Sequence, residues 1–175
     1  YRARRQRQMC IRDSSCTAYG VYNAMKAGVK YKLEKDSLDG LTIAIKGIGK
    51  VGYQLANYVL EDGAKLIVAD KSDSKIEFIN ELQKKYPFKI EITSHEEIHK
   101  KEVDVYSPCA MGNDIRISRI SEMNCKIICG AANNQLDVVD PAIAKQQLLD
   151  HKILYVPDTI ATVSYTHLTL PTSSV

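Results

Sequence analysis

The segment LTIAIKGIGKVGYQLANYVLEDGAKLIVAD, residues 41–70, constrains the fold more than any other part of this chain. An apolar run ends in the glycine turn GIGKVG of residues 47–52, a helix-patterned stretch follows, and a second apolar run ends in Asp70. In such a unit the first glycine permits a tight turn, and the second lets backbone N–H groups approach a pyrophosphate. The third lets the helix pack closely on the strand. The segment therefore predicts a dinucleotide-binding βαβ unit, with a pyrophosphate at the helix N-terminus and Asp70 near the ribose hydroxyls.

The rest of the sequence alternates between strand and helix patterns. Strands are predicted over 41–46, 65–69, 89–92, 103–106, 126–129 and 153–156. Helices are predicted over 18–33, 51–61, 75–86 and 141–150, with a short helical turn over 96–101 and a weak helical pattern over 117–123. Short strands separated by helices imply right-handed crossovers between parallel strands. The predicted fold is α/β: a Rossmann-type, doubly wound, mostly parallel sheet with a helical lead-in.

The composition is that of an ordinary globular domain, with 45% hydrophobic and 26% charged residues. No apolar run approaches the roughly 20 residues of a membrane span, so we expect no membrane partner. The five cysteines (Cys10, Cys16, Cys109, Cys125 and Cys129) form no CxxC pair. An odd number of cysteines without that spacing favours free thiols, and we expect a cytoplasmic location.

The net charge of +3 arises at the N-terminal end, where residues 1–14 carry five arginines and one aspartate. A basic segment can bind nucleic acid through phosphates, but no DNA- or RNA-binding motif accompanies it, so we expect no nucleic-acid partner. The sequences MCIRDS and VSYTHLTLPT resemble translated sequencing-adapter tails. We therefore interpret residues 1–14 and 162–175 as non-native tails that flank a Rossmann domain over 15–161.

Five motifs occur in the order found in a known family. They are Thr17-Ala18-Tyr19-Gly20-Val21, the glycine turn, Pro108-Cys109-Ala110, Gly130-Ala131-Ala132-Asn133-Asn134-Gln135-Leu136 and Tyr155-Val156-Pro157-Asp158. Together they resemble the C-terminal, NAD-binding domain of the glutamate/leucine/phenylalanine/valine dehydrogenases, with the leucine dehydrogenases as the best match. The resemblance implies that residues 15–161 are a fragment of a larger NAD-dependent enzyme. Such an enzyme deaminates an L-amino acid oxidatively to a 2-oxo acid and ammonia.

The resemblance also implies a substrate, an assembly and a set of cofactor contacts. The expected substrate is leucine or another branched-chain amino acid, and the expected full-length protein is a homo-oligomer. The pyrophosphate turn would comprise Gly47, Ile48, Gly49, Lys50 and Val51, with Asp70 at the adenosine ribose. Cys109 and Ala110 would lie beside the cofactor, Asn133 or Asn134 at the nicotinamide ribose or substrate side, and Thr17 at the carboxamide.

Part of this arrangement follows without the family, because ligands bind outside the carboxyl ends of parallel strands. That rule alone places Gly47, Asp70, Ala110 and Asn133 on one rim of the sheet. Structural alternatives stay open at two places. Thr17 could serve only as the cap of the entry helix, and Asn133-Asn134 could serve only as a turn.

The chain also departs from the family. The family's two catalytic lysines lie in an N-terminal domain, and no motif in this chain replaces them, so we assign no catalytic residue. Lys46 and Lys50 stand where neutral residues are common, and the loop over 111–114 is short. A stand-alone, non-catalytic nucleotide-binding or regulatory module remains the alternative function.

The sequence His95-Glu96-Glu97-Ile98-His99 matches the zinc motif HExxH. On a sustained helix this spacing presents two imidazole ligands to one zinc ion beside a general base. The segment here offers about two turns between predicted strands and no evident third ligand. We therefore interpret it as a solvated crossover segment and expect no metal.

Overall fold

The computed structural model describes residues 2–72, 75–137 and 140–163. The helices are α1 (Arg2–Leu33), α2 (Lys50–Glu61), α3 (Ile76–Lys85), α4 (Ile117–Ile120), α5 (Pro141–Asp150) and α6 (Asp158–Val163), with a 3₁₀ turn over Ile98–Lys100. The strands are β1 (Thr42–Lys46), β2 (Lys65–Ala69), β3 (Ile90–Ile92), β4 (Val103–Pro108), β5 (Ile115–Arg116), β6 (Cys125–Ile128), β7 (Leu136–Asp137) and β8 (Leu154–Tyr155).

Six of these strands form one sheet in the order β3-β2-β1-β4-β6-β8, and every neighbouring pair is parallel. The chain runs outward from β1 through β2 to β3 and then returns to β4 on the other side of β1. The strand order therefore reverses between β1 and β4, which is where doubly wound sheets bind ligands. The predicted Rossmann-type fold is confirmed.

Both faces of the sheet are buried, because side chains alternate along each strand. Ile43 and Ile45 of β1 pack in the cluster formed with α1, α2 and α3. Ala44 points to the opposite face and packs in a second cluster beneath the 3₁₀ turn, α4 and α5. A three-layer α/β/α arrangement results, and its helices leave the carboxyl ends of the strands at one edge.

Local signals explain where several helices begin and end. Asp140 caps α5 by accepting a hydrogen bond from the backbone N–H of Ala142 at 2.8 Å, and Pro141 occupies the first turn. Helix α2 ends at Glu61 with Asp62 as its C-cap, followed by Gly63 at φ +92°, a conformation that glycine adopts without strain. These boundaries agree with the sequence predictions.

Three sequence predictions of secondary structure were wrong in detail. Helix α1 begins at Arg2 and not at residue 18, because the preceding residues carry neither proline nor glycine to stop it. The pattern over 117–123 yields only the single turn α4. The short strands β5 and β7, which form a separate parallel pair, were not predicted, since two residues cannot show a period-two pattern.

The interpretation of both ends as non-native tails stays a prediction. Residues 164–175 lie outside the described residues, as do residue 1 and the side chains of 2–13. Across the described part of the chain, no helix combines the length and the apolar character needed to cross a membrane.

Truncation of the core on α2 should destabilise the fold. Leu55 is fully buried, so Leu55→Ala should lower the free energy of unfolding by about 2–5 kcal/mol through lost burial and a residual cavity. Leu149→Ala on α5 is the matched control, because Leu149 is 59% exposed and should change stability by no more than about 0.5 kcal/mol. Urea denaturation followed by circular dichroism measures both values. Equal losses would contradict the described core.

Candidate functional site

The end of β1 is the point where three strands and one helix meet. The backbone N–H of Gly47 donates to the carbonyl of Ala69 at the end of β2, at 2.7 Å. The carbonyl of Lys46 accepts from the N–H of Cys109 at 2.8 Å, just beyond β4. Gly47 has φ +100°, and a Cβ there would lie within 2.8 Å of backbone and side-chain atoms of Ala110. Only glycine fits both the conformation and the space.

The start of α2 shows why the turn contains two further glycines. A Cβ on Gly52 would collide with the carbonyl oxygen of Gly47, so glycine allows the helix to approach the strand. Gly49 is the N-cap of α2, and a Cβ there would meet no atom within 4 Å. The space in front of Gly49 is therefore open, and the positive end of the helix dipole faces it. An anion can be accommodated there.

Asp70 directly follows β2 and lies half-buried beside the turn. One carboxylate oxygen accepts from the backbone N–H of Ile48 at 2.7 Å, and the other accepts from the N–H of Ser72 at 2.9 Å. Each oxygen of a carboxylate can accept more than one hydrogen bond. Asp70 therefore holds the turn in place and retains capacity for hydroxyl donors.

The opposite side of the rim is formed by the segments that follow β4 and β6. Cys109 is half-buried and Ala110 is exposed, and burial raises the pKa of the Cys109 thiol. Asn133 and Asn134 are exposed, with Asn134 at φ +49°. The N–H of Asn134 donates to a carboxylate oxygen of Asp158 at 2.8 Å. The two asparagines lie at a bend of the chain, and contact of their side chains with a ligand stays a prediction.

Thr17 lies inside α1, so the interpretation of Thr17 as a helix cap is wrong. Later turns of the same helix pack beside β6: Gly28 lies near Ile127, and the carbonyl of Val21 lies 3.8 Å from the thiol of Cys129. Contact of Thr17 with a cofactor stays a prediction.

A cleft of about 490 Å³ opens at this rim. Five predicted site residues line it: Gly47, Gly49, Asp70, Cys109 and Ala110. Ile48 and Lys50, together with Gly49, line a smaller adjoining pocket of about 200 Å³ beside Tyr53 and Phe78. Val51 is half-buried and packs against the core. Contact of these residues with a cofactor stays a prediction.

The cleft also contains charged residues that were not predicted as part of the site. They are Lys46, Lys71, His95, Glu96, Asp114, Arg116 and Arg119. Lys46 is 2% exposed, and its ammonium lies 2.5 Å from a carboxylate oxygen of Asp114. The other oxygen of Asp114 accepts from the hydroxyl of Tyr106 at 2.5 Å. The sequence signal was a lysine ending an otherwise apolar strand, which requires a buried partner.

The two histidines of the HExxH sequence lie in different surroundings. His95 lines the cleft, where burial and the neighbouring Lys46 and Lys71 lower the pKa of its imidazole. His99 is buried, and its Nε2 lies 3.4 Å from a carboxylate oxygen of Glu122. The segment folds as a turn followed by a 3₁₀ turn, so it lacks the helix on which the zinc motif depends. Among the described residues, no group of three potential protein ligands could hold a metal ion.

Comparison with known proteins agrees with this geometry. The sequence model of the Glutamate/Leucine/Phenylalanine/Valine dehydrogenase family matches residues 11–164. The chain belongs to this family. It is 37% identical over 147 residues to leucine dehydrogenase of Bacillus subtilis, 36% over 150 residues to valine dehydrogenase of Streptomyces virginiae, and 39% over 150 residues to phenylalanine dehydrogenase of Lysinibacillus sphaericus.

These alignments cover 84–85% of this chain but only 38–40% of the relatives, so the chain spans about two-fifths of their length. Among solved structures, L-tryptophan dehydrogenase of Nostoc punctiforme matches with a TM-score of 0.78 at 30% identity, over 89% of this chain and 46% of that chain. Hetero-hexameric glutamate dehydrogenase of Thermus thermophilus matches with a TM-score of 0.68 at 20% identity, over 88% of this chain and 38% of that chain, which supports the fold alone.

Two alanine substitutions in the glycine turn compare a tightly packed position with an open one. Gly52→Ala should lower the free energy of unfolding by about 1–3 kcal/mol, because its Cβ would collide with the Gly47 carbonyl. The matched substitution Gly49→Ala meets no atom, so its cost should stay at or below about 1 kcal/mol, the usual cost of alanine at an N-cap. Denaturant unfolding measures both. A larger loss for Gly49→Ala than for Gly52→Ala would contradict the described turn.

Proposed function

We propose that this chain is the NAD-binding part of an amino-acid dehydrogenase, which deaminates an L-amino acid oxidatively to a 2-oxo acid and ammonia. The observation that carries the proposal is the glycine turn itself. Gly47 adopts the left-handed conformation against Ala110, and Gly49 opens the N-terminus of α2 to an anion. Membership of a family whose named relatives are amino-acid dehydrogenases supports the reaction.

The residues of the cleft fit a dinucleotide in a defined orientation. The pyrophosphate would lie in front of Gly49 at the N-terminus of α2, where the dipole and backbone N–H groups stabilise negative charge. Asp70 would accept hydrogen bonds from the adenosine ribose. The segment of Asn133 and Asn134, together with Thr17, would border the nicotinamide half. When bound, NAD supplies the hydride acceptor, and the residues of this chain bind and orient it.

The substrate and the biological context are further parts of the proposal. We propose leucine or another branched-chain amino acid as substrate, which the leucine and valine dehydrogenase relatives support. We also propose a homo-oligomeric full-length protein in the cytoplasm. The hetero-hexameric state of the Thermus glutamate dehydrogenase is consistent with assembly but belongs to that protein.

Asp70 should make the cleft prefer NAD over NADP. A carboxylate can accept from both ribose hydroxyls, whereas a 2′-phosphate would place a second negative charge beside it. Asp70→Ala should weaken NAD binding about tenfold, as expected for the loss of hydrogen bonds to a charged group. The difference in affinity between NAD and NADP should therefore become smaller. Calorimetric titration of both cofactors into the purified chain measures this. Asp36→Ala, which removes an exposed carboxylate (side chain 83% exposed), is the matched control.

Two results would contradict the assignment of Asp70. The first is NADP binding by the unaltered chain that equals or exceeds NAD binding. The second is an equal loss of NAD affinity in the Asp36→Ala control. Because Asp70 also holds the N–H of Ile48, thermal unfolding should be recorded for each variant to show that the folded protein is being titrated.

The 175-residue chain should bind NAD without turning over amino acids. General acid–base catalysis typically contributes about 10²–10⁴-fold to a rate, and orientation of the substrate contributes more. No motif of this chain replaces the lysine pair to which the family resemblance assigns these tasks. Absorbance of NADH at 340 nm, followed with leucine and NAD, should stay at the buffer blank, with an active full-length amino-acid dehydrogenase as positive control. NADH formation by the chain alone would overturn this expectation.

A further inference from the structure

We propose that Lys46 and Asp114 form a positioning pair, which fixes the pyrophosphate turn relative to the segment beside the nicotinamide half of the cofactor. This inference rests on the proposed NAD-binding function. Neither residue was predicted as part of the site, and neither needs to touch the cofactor in order to act in this way. Each works through the backbone segment that it holds.

The pair is largely buried, and each carboxylate oxygen of Asp114 has a partner. The Lys46 side chain is 2% exposed and that of Asp114 is 12% exposed, with 2.5 Å between ammonium nitrogen and carboxylate oxygen. Tyr106, buried at 1% exposure, donates its hydroxyl to the second oxygen. Burial and the adjacent Asp114 raise the pKa of Tyr106, so its hydroxyl remains a donor. A buried carboxylate held from both sides has one available position.

The two partners belong to the ends of two neighbouring strands, and both line the cleft. Lys46 is the last residue of β1 and directly precedes Gly47 of the pyrophosphate turn. Asp114 closes the loop over 111–114, which follows β4 and lines the cleft. Their ion pair therefore adds a side-chain contact to the parallel pairing of β1 with β4 and to the backbone hydrogen bond between Cys109 and Lys46.

Backbone hydrogen bonds extend this link to the asparagine turn. The N–H of Asn113 donates to the carbonyl of Asn134 at 2.7 Å, and the N–H of Ile115 donates to the carbonyl of Gln135 at 3.0 Å. A displacement of Asp114 would move these neighbours, and Asn134 with them. The distance between the pyrophosphate turn and the asparagine turn is thus set in part by the ion pair.

Loss of either partner leaves a buried charge without its counter-ion, which is a strongly unfavourable state that the loop can relieve by moving towards water. Ligands that span the cleft should detect this movement, whereas a ligand that occupies only the adenosine half should not. NADH and AMP are therefore the two probes.

The experiment measures dissociation constants of NADH and AMP for the full chain and for Lys46→Gln, Asp114→Asn and Asp114→Glu, with thermal unfolding in parallel. Asp114→Glu keeps the charge but lengthens the side chain by one methylene, so it shifts the loop while it preserves the ion pair. The matched controls are Lys126→Gln and Asp104→Asn. That pair has its ammonium and carboxylate 2.7 Å apart and lies towards the amino ends of β4 and β6, away from the cleft.

We expect all three cleft variants to weaken NADH binding by about tenfold, which corresponds to about 1.4 kcal/mol, and to change AMP binding by less than about twofold. Both controls should leave the two constants unchanged. If the neutral variants do not fold, Asp114→Glu decides the question alone.

Four results would overturn the positioning role. Unchanged NADH binding by Asp114→Glu would show that the pair contributes only its charge and does not position the loop. Tighter NADH binding by Asp114→Asn would show the same. Equal weakening of NADH and AMP would indicate general loss of structure. If the unaltered chain binds neither probe, the proposed cofactor function itself fails, and the positioning role fails with it.

Discussion

The close approach of backbone segments at Gly47 is the constraint on which the rest of the site depends. The end of β1 is bonded to the end of β2 through Gly47 and to the segment after β4 through Lys46, and α2 approaches within contact of the Gly47 carbonyl. A side chain at Gly47 or Gly52 would separate these elements. Four elements converge at Gly47, so the positions of the strand ends and of the helix N-terminus together determine the shape of the cleft. The packing that stabilises the domain and the shape of the cleft therefore have the same origin.

The parallel sheet brings the ends of several strands to one edge, which forms the rim of the cleft. All six strands of the large sheet run in one direction, so the segments that follow β1, β2, β4 and β6 emerge at the same edge. Asp70, Ala110 and Asn134 belong to three of these segments and are separated by dozens of residues in sequence. Sheet topology alone brings them together, and helices on both faces keep the strands buried.

Much of this architecture could be predicted from sequence, because the elements of the large sheet are coded locally. Apolar runs, the glycine turn, Asp62-Gly63 and Pro141 each act within a few residues of the boundary that they set. The start of α1 was missed because no local signal interrupts the helix. The pair of Lys46 and Asp114 was missed for a different reason. Its partners are 68 residues apart, and no periodic pattern relates them.

The sequence alone marks Lys46 as a lysine in place of a neutral residue and the loop over 111–114, which contains Asp114, as shortened. In the folded chain the two departures are in contact, and the charge of Lys46 is balanced by that of Asp114. A lone ammonium at the buried end of β1 would be strongly unfavourable, and a lone carboxylate opposite it would be equally so. Departures from a family pattern at two distant positions can therefore indicate a contact, provided that their charges are complementary.

The charges of the cleft also qualify the argument for cofactor choice. The sequence contains no arginine between residues 13 and 116, and an NADP site more often supplies an arginine for the 2′-phosphate, so this absence favours NAD. The fold, however, brings Arg116 and Arg119 to the same cleft as Asp70. Arg116 is 64% exposed and lies 3.5 Å from a carboxylate oxygen of Asp137, so the charge of Asp137 partly offsets that of Arg116.

Burial and the neighbouring Lys46 and Lys71 lower the pKa of His95, which disfavours its positively charged form. Among the described residues that line the cleft, Arg119 and Lys71 are further cations. They attract any phosphate, whether it belongs to the pyrophosphate or to a 2′-phosphate. Selection between the two cofactors therefore falls to Asp70, whose carboxylate is held in position by the same turn that receives the pyrophosphate.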